Sequence, residues 1–127
     1  MRRGIVPVIL LTIMLSTSAT AKGDYIPEGF EIMRCTCYIP TGHKTATGIE
    51  PYEGICACSK DRLGEVAVVY DMDMRIVGIF EVKDTGSHEG LVNGTRIDIF
   101  RNDMDGVSAW QKEVGDYVIV QWVKGEG

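Results

Sequence analysis

Ile79-Phe80-Glu81-Val82-Lys83-Asp84-Thr85-Gly86 and, beyond a turn, Arg96-Ile97-Asp98-Ile99-Phe100 decide how this chain folds. Apolar and polar residues alternate in both, the period-two pattern of a half-buried strand. Thr85-Gly86 reads as a sharp turn leaving the first of them. Asp84 therefore falls at a strand exit, where side chains commonly face a cleft, and Asp98 lies within a strand. Two carboxylates so placed in a small β-rich domain are candidates for proton chemistry. The competing reading makes Asp84 a turn cap and Asp98 a polar strand residue.

Short strands divided by turns continue in both directions. Glu31 to Tyr38 reads as the first strand. Turns at Pro40-Thr41-Gly42, Thr45-Ala46-Thr47-Gly48 and Pro51-Tyr52-Glu53-Gly54 precede a strand from Ile55 to Cys58. Val66 to Tyr70 and Arg75 to Val82 read as a hairpin joined through Asp71-Met72-Asp73-Met74. Val92-Asn93-Gly94 turns into the Asp98 strand, and Tyr117 to Val123 closes the chain with alternating apolar positions. There is no internal repeat and no low-complexity tract. This supply of short strands predicts an all-β class and a small barrel.

One helix interrupts the strands. Val107, Trp110 and Val114 recur at helical spacing, with Asn102 as the expected N-cap and Gly115 as the stop. It is expected to cover one barrel opening. Its apolar stripe makes Trp110 a core residue rather than a sugar-stacking platform, and Trp122 in the closing strand calls for the same caution.

Met1-Arg2-Arg3, an apolar stretch from Ile5 to Leu15 and the small residues of Ala19-Thr20-Ala21 read as a secretory signal peptide over residues 1–21. The apolar stretch falls short of the roughly 20 residues that span a bilayer, so stable membrane insertion is not expected. No cysteine precedes Cys35, which leaves a lipoprotein anchor unsupported. Cleavage would leave 106 of the 127 residues, enough for one domain with one modest core. Losing Arg2 and Arg3 leaves 11 basic against 18 acidic residues, a net charge of about −7. That balance argues against a nucleic-acid partner, which calls for a basic stripe.

The cysteines form two C-x-C pairs, Cys35-Thr36-Cys37 and Cys56-Ala57-Cys58. Alternate strand residues share a face, so two neighbouring strands stapled by one or two disulfides are expected in an exported protein. The connectivity is open between Cys35 to Cys58 with Cys37 to Cys56 and the parallel pairing. A zinc site of four thiolates is the competitor, although such sites usually leave two to four residues between paired cysteines.

The ordered set Thr45-Ala46-Thr47-Gly48, Gly54, Leu63-Gly64, Asp84-Thr85-Gly86, Gly94-x-Arg96-Ile97-Asp98-Ile99-Phe100 and Ala109-Trp110 resembles the 3D domain, named for three aspartates. The resemblance runs from about Arg34 to Val123, which sets a domain at 34–124 after a lead-in at 22–33. It implies a six-stranded double-psi β-barrel with one short helix, akin to the catalytic domain of membrane-bound lytic transglycosylase A and to rare-lipoprotein-A-like modules. It further implies a secreted or wall-associated bacterial monomer that acts on peptidoglycan glycan strands, with no cofactor and no metal.

The implied chemistry is cleavage of the bond between N-acetylmuramic acid and N-acetylglucosamine, with Asp84 on the family's catalytic aspartate and Asp98 as its partner. A hydrolase commonly uses two carboxylates. A lytic transglycosylase needs one that gives and then regains a proton, because the substrate's 6-hydroxyl is the nucleophile. A resident acid requires a raised pKa, from burial or a like charge nearby. Thr85 and Gly86 are expected to shape the turn presenting Asp84, and Thr45 and Thr47 to offer hydroxyl and backbone contacts to the sugar or to carboxyl groups, all four being substrate-binding candidates. Arg96 is a candidate partner for a carboxylate or for the muramyl peptide. His43 and His88 read as exposed loop residues.

One departure stands out. The family's first aspartate precedes Leu-Gly in an Ala-x-Asp-Pro segment, and ungapped counting puts Ala57 at its place, with Asp61 a substitute only if the loop is shorter. Two alternatives follow: a non-catalytic peptidoglycan- or carbohydrate-binding barrel, and a secreted interaction protein. An aspartic protease half built on Asp84-Thr85-Gly86 is disfavoured, since the flanking hydrophobic-hydrophobic-Gly element is missing.

Overall fold

Six strands form because six segments can bury one apolar face against a common interior. A computed structural model describes residues 28–125. The strands are β1 (Phe30–Tyr38), β2 (Ile55–Ala57), β3 (Val66–Tyr70), β4 (Ile76–Asp84), β5 (Arg96–Phe100) and β6 (Tyr117–Val123). They close a barrel in the order β1-β5-β2-β4-β3-β6. The expected signal peptide and residues 22–27 of the lead-in lie outside the described residues. Phe30 to Met33, at the end of the lead-in, pair with β6 as part of β1. Among the described residues no helix is long and apolar enough to cross a membrane.

The pairs β1/β5 and β2/β4 are parallel, and the other four are antiparallel. Exchanging β1 with β4, β2 with β5 and β3 with β6 returns the same ring. The two halves of the chain thus fold alike without repeating in sequence, in the double-psi arrangement. Parallel neighbours require long crossovers, and these cover the outward face of β5 and β2. Ile55 and Phe100 face that way and are nevertheless fully buried.

The interior is filled by one residue in two from each strand, among them Met33 and Cys35, Cys56, Ala67 and Val69, Phe80 and Val82, Ile97 and Ile99, and Val118 and Val120. Helix α2 (Met104–Val114) presents Val107, Trp110 and Val114 to the core. Trp110 packs edge-on against Phe80 at 5.6 Å and donates its indole N–H to Cys35 Sγ at 3.3 Å. The N-cap of α2 is Asp103, one residue beyond the expected Asn102: the Asp103 carboxylate accepts from Gly106 N. Asn102 instead gives its backbone N–H to Glu53 at 2.7 Å. A second helix not expected from the sequence, α1 (Glu89–Asn93), fills the crossover before β5 and ends at Gly94, whose φ of 81° suits glycine. Five residues are too few to display an amphipathic period.

The expected placement of the two C-x-C segments on neighbouring strands is corrected. All four thiols are free. β5 lies between β1 and β2, so the two C-x-C segments are not on neighbouring strands. Among the described residues no three His, Cys, Asp or Glu side chains are grouped to hold a metal ion.

A candidate active site at a strand bulge

Strict alternation along β4 would turn Asp84 to the same side as Val82, into the core. The ladder between β2 and β4 breaks step instead: Cys56 pairs with Val82, and Ala57 pairs with Asp84. Lys83 is the extra residue, and the bulge rotates Asp84 onto the outward face. The carbonyl freed at Lys83 accepts a 2.8 Å bond from the Thr47 hydroxyl. Ala57 also pairs with Asp98 on its other side, and Asp98 with Thr36. Thr36, Asp98, Ala57 and Asp84 therefore form one row across β1, β5, β2 and β4. The Cα atoms of the two aspartates stand two strand spacings apart, about 10 Å.

Both oxygens of Asp84 are engaged as acceptors. Oδ1 receives the backbone N–H of Ala46 at 2.8 Å and of Thr85 at 2.9 Å, and Oδ2 receives the Tyr38 hydroxyl at 3.1 Å. Burial, and after it the Asp84 carboxylate, push the Tyr38 phenol far above its ordinary pKa. The turn carrying Ala46 is tied off by Thr45, whose hydroxyl receives Thr47 N and Ile49 N and lies 3.0 Å from the Thr47 hydroxyl.

Asp98 is more deeply placed, at 9% exposure. Its Oδ1 accepts from the Thr36 hydroxyl at 2.9 Å, and its Oδ2 lies 4.0 Å from Arg96 Nη2. Arg96 Nε in turn donates to Thr36 Oγ1 at 2.8 Å. Burial raises the Asp98 carboxyl above the usual 3.8, opposed by Thr36 and Arg96 and reinforced by Asp84.

The structure thus brings Asp84 and Asp98 onto one face and makes Thr45 and Thr47 scaffolding for Asp84. Thr85 contributes its backbone N–H. Gly86 passes close to Leu91 of α1, where an added Cβ would lie 3.0 Å from Leu91 Cδ1. His43 is exposed, and exposed His88 caps α1 by accepting from Gly90 N at 2.9 Å. Ala57 occupies the middle of the aspartate row, and Asp61 stands exposed in the 3-10 turn Lys60–Arg62. Sequence reasoning missed Thr36 and Tyr38. Their i, i+2 spacing on β1 was visible, but their pairing with β5 was not.

Two concavities, of about 410 and 340 Å³, share Glu31 and Arg62, and neither is lined by Asp84 or Asp98. Arg62 there lies 4.4 Å over the Trp122 ring, and Trp122 Nε1 donates to Glu31 at 2.6 Å. The carboxylate row has the chemistry and these hollows have the volume. The row is the candidate site, because Glu31, Arg62 and Glu65 of the larger hollow already satisfy one another in ion pairs. No family model, curated protein or solved structure matches this chain.

Proposed function

We propose that this protein is a secreted peptidoglycan-active enzyme of the lytic transglycosylase kind, cleaving the glycosidic bond between N-acetylmuramic acid and N-acetylglucosamine. The observation that carries the reading is one row holding two unlike carboxylates. Asp98 is buried and proton-favouring, while Asp84 is anchored by three donors. Unlike environments for two carboxylates are the arrangement that divides acid from electrostatic roles. The order of motifs resembling the 3D domain supplies the substrate.

In this reading the resident proton belongs to Asp98, whereas the sequence pointed to Asp84. Asp98 protonates the leaving glycosidic oxygen. Its carboxylate then takes the proton of the muramyl 6-hydroxyl as that oxygen closes on the anomeric carbon, giving a 1,6-anhydro ring. Asp84 adds fixed negative charge facing the oxocarbenium-like transition state. The absence of Asp84 and Asp98 from the two concavities favours a second reading, a wall-binding barrel that cleaves nothing.

Mass spectrometry of fragments released from purified peptidoglycan separates them. Wild-type protein is expected to release muropeptides ending in 1,6-anhydro-N-acetylmuramic acid, and Asp98→Asn to release none. Reducing ends indicate hydrolysis, and sedimentation with the wall without release indicates the binding barrel.

A further inference from the structure

Thr36 has no role in the sequence reading, yet it is the only residue hydrogen-bonded to both Arg96 and Asp98 among the described residues. A threonine hydroxyl has one hydrogen and two lone pairs. Arg96 Nε can only donate, so its 2.8 Å contact occupies a lone pair of Thr36 Oγ1. If Asp98 also donated to Thr36, the hydroxyl hydrogen would lose its partner on the row. The arrangement in which each donor meets an acceptor runs from Arg96 to Thr36 and from Thr36 to Asp98 Oδ1. Oδ2 is then the oxygen free to hold a proton, since Arg96 Nη2, at 4.0 Å, lies beyond hydrogen-bond reach.

The geometry points to Thr36 as a positioning residue that, held by Arg96, fixes Asp98 Oδ1 as an acceptor and leaves Oδ2 as the oxygen that gives and regains the proton. As catalysis, this rests on the reading of Asp98 as the acid of glycan cleavage. As hydrogen-bond chemistry it stands without that reading. The strand pairing agrees: Thr36 is the β1 partner of Asp98 in register, so its hydroxyl needs no loop to deliver it. The other titratable groups bearing on Asp98 are Asp84 from β4, His88 at the start of α1, Tyr38, Cys35 and Cys37 on β1, and Cys56 on β2. Among the described residues only Thr36 hydrogen-bonds to its carboxylate.

The test follows the Asp98 side-chain carboxyl carbon by NMR through a pH titration, beside release of anhydro-muropeptides. Thr36→Val keeps a β-branched strand residue of the same shape and removes the hydroxyl, and Thr36→Ser restores it. Thr36→Ala serves if the valine variant does not fold. Loss of the hydroxyl is expected to move the Asp98 midpoint upward, because a bond favouring the carboxylate is gone. It is expected to lower release about tenfold to a hundredfold, and serine to restore both. A midpoint unmoved in the variant lacking the hydroxyl, or not restored by serine, overturns the inference. A midpoint that moves and returns while no form releases anhydro-muropeptides supports the hydrogen-bond assignment and removes the glycan-cleaving reading.

Discussion

Asp84 and Asp98 pair with the same residue, Ala57, from opposite sides of β2. That relationship makes two distant stretches of sequence a single site, and it depends on the one-residue bulge at Lys83.

The bulge is held by the Thr47 hydroxyl on Lys83 O. Thr47→Val keeps the side chain's shape and removes that bond. It is expected to cost about 1 kcal/mol of stability and to speed hydrogen exchange of the Ala46 and Thr85 amides, which depend on Asp84. Unchanged exchange at both amides counts against this account of the bulge.

Asp84→Asn retains an oxygen for the amides of Ala46 and Thr85, whereas Asp84→Ala retains none. The alanine variant is expected to be about 1–3 kcal/mol less stable than wild type, with asparagine between them. Denaturant midpoints measure this. Equal midpoints for alanine and wild type contradict the anchoring role.

Asp98 carries the pH dependence. Its folded carboxyl holds a proton above the ordinary 3.8, so its stabilising effect is full below that value and is lost as pH rises through the folded midpoint. Asp98→Asn does not titrate. Its stability relative to wild type is therefore expected to rise as pH climbs through that midpoint. Denaturation of both proteins across the range isolates the group, and a flat difference refutes the assignment.

Ala57 is 4% exposed between two carboxylates. Ala57→Asp rebuilds a row of three and is expected to destabilise the fold at neutral pH by at least about 2 kcal/mol, through burial of an unpaired like charge. The loss shrinks as pH falls and the row takes up protons. A variant as stable as wild type at neutral pH would show that the row tolerates a third charge.

The thiols test the barrel interior. Burial pushes Cys35 up to about 12, Cys37 to about 11, and Cys56 well above its ordinary value. Thiolate is the reactive form, so a water-soluble disulfide reagent is expected to reach half-buried Cys37 first and all four only after unfolding. Prompt labelling of four thiols in the native protein contradicts the packing.

Strand existence was legible because alternation is local: Val66–Tyr70 and Tyr117–Val123 fall where the pattern put them. The helix was legible from its apolar spacing, and its cap was missed by one residue, because Asn and Asp side chains cap equally well. Neighbourhood was not legible. The C-x-C segments share a spacing yet lie on strands separated by β5, since a local period carries no information about which strand inserts between two others.

By itself, then, the sequence determined six apolar-faced strands, one covering helix and the positions of two carboxylates, because these follow from periodicity and turn chemistry. The tertiary structure alone decided that Lys83 bulges, that Asp84 consequently turns outward to join Asp98 across Ala57, and that Thr36 and Tyr38 hold them. Those facts depend on register between strands far apart in the chain, which is set by closing the whole barrel around one core.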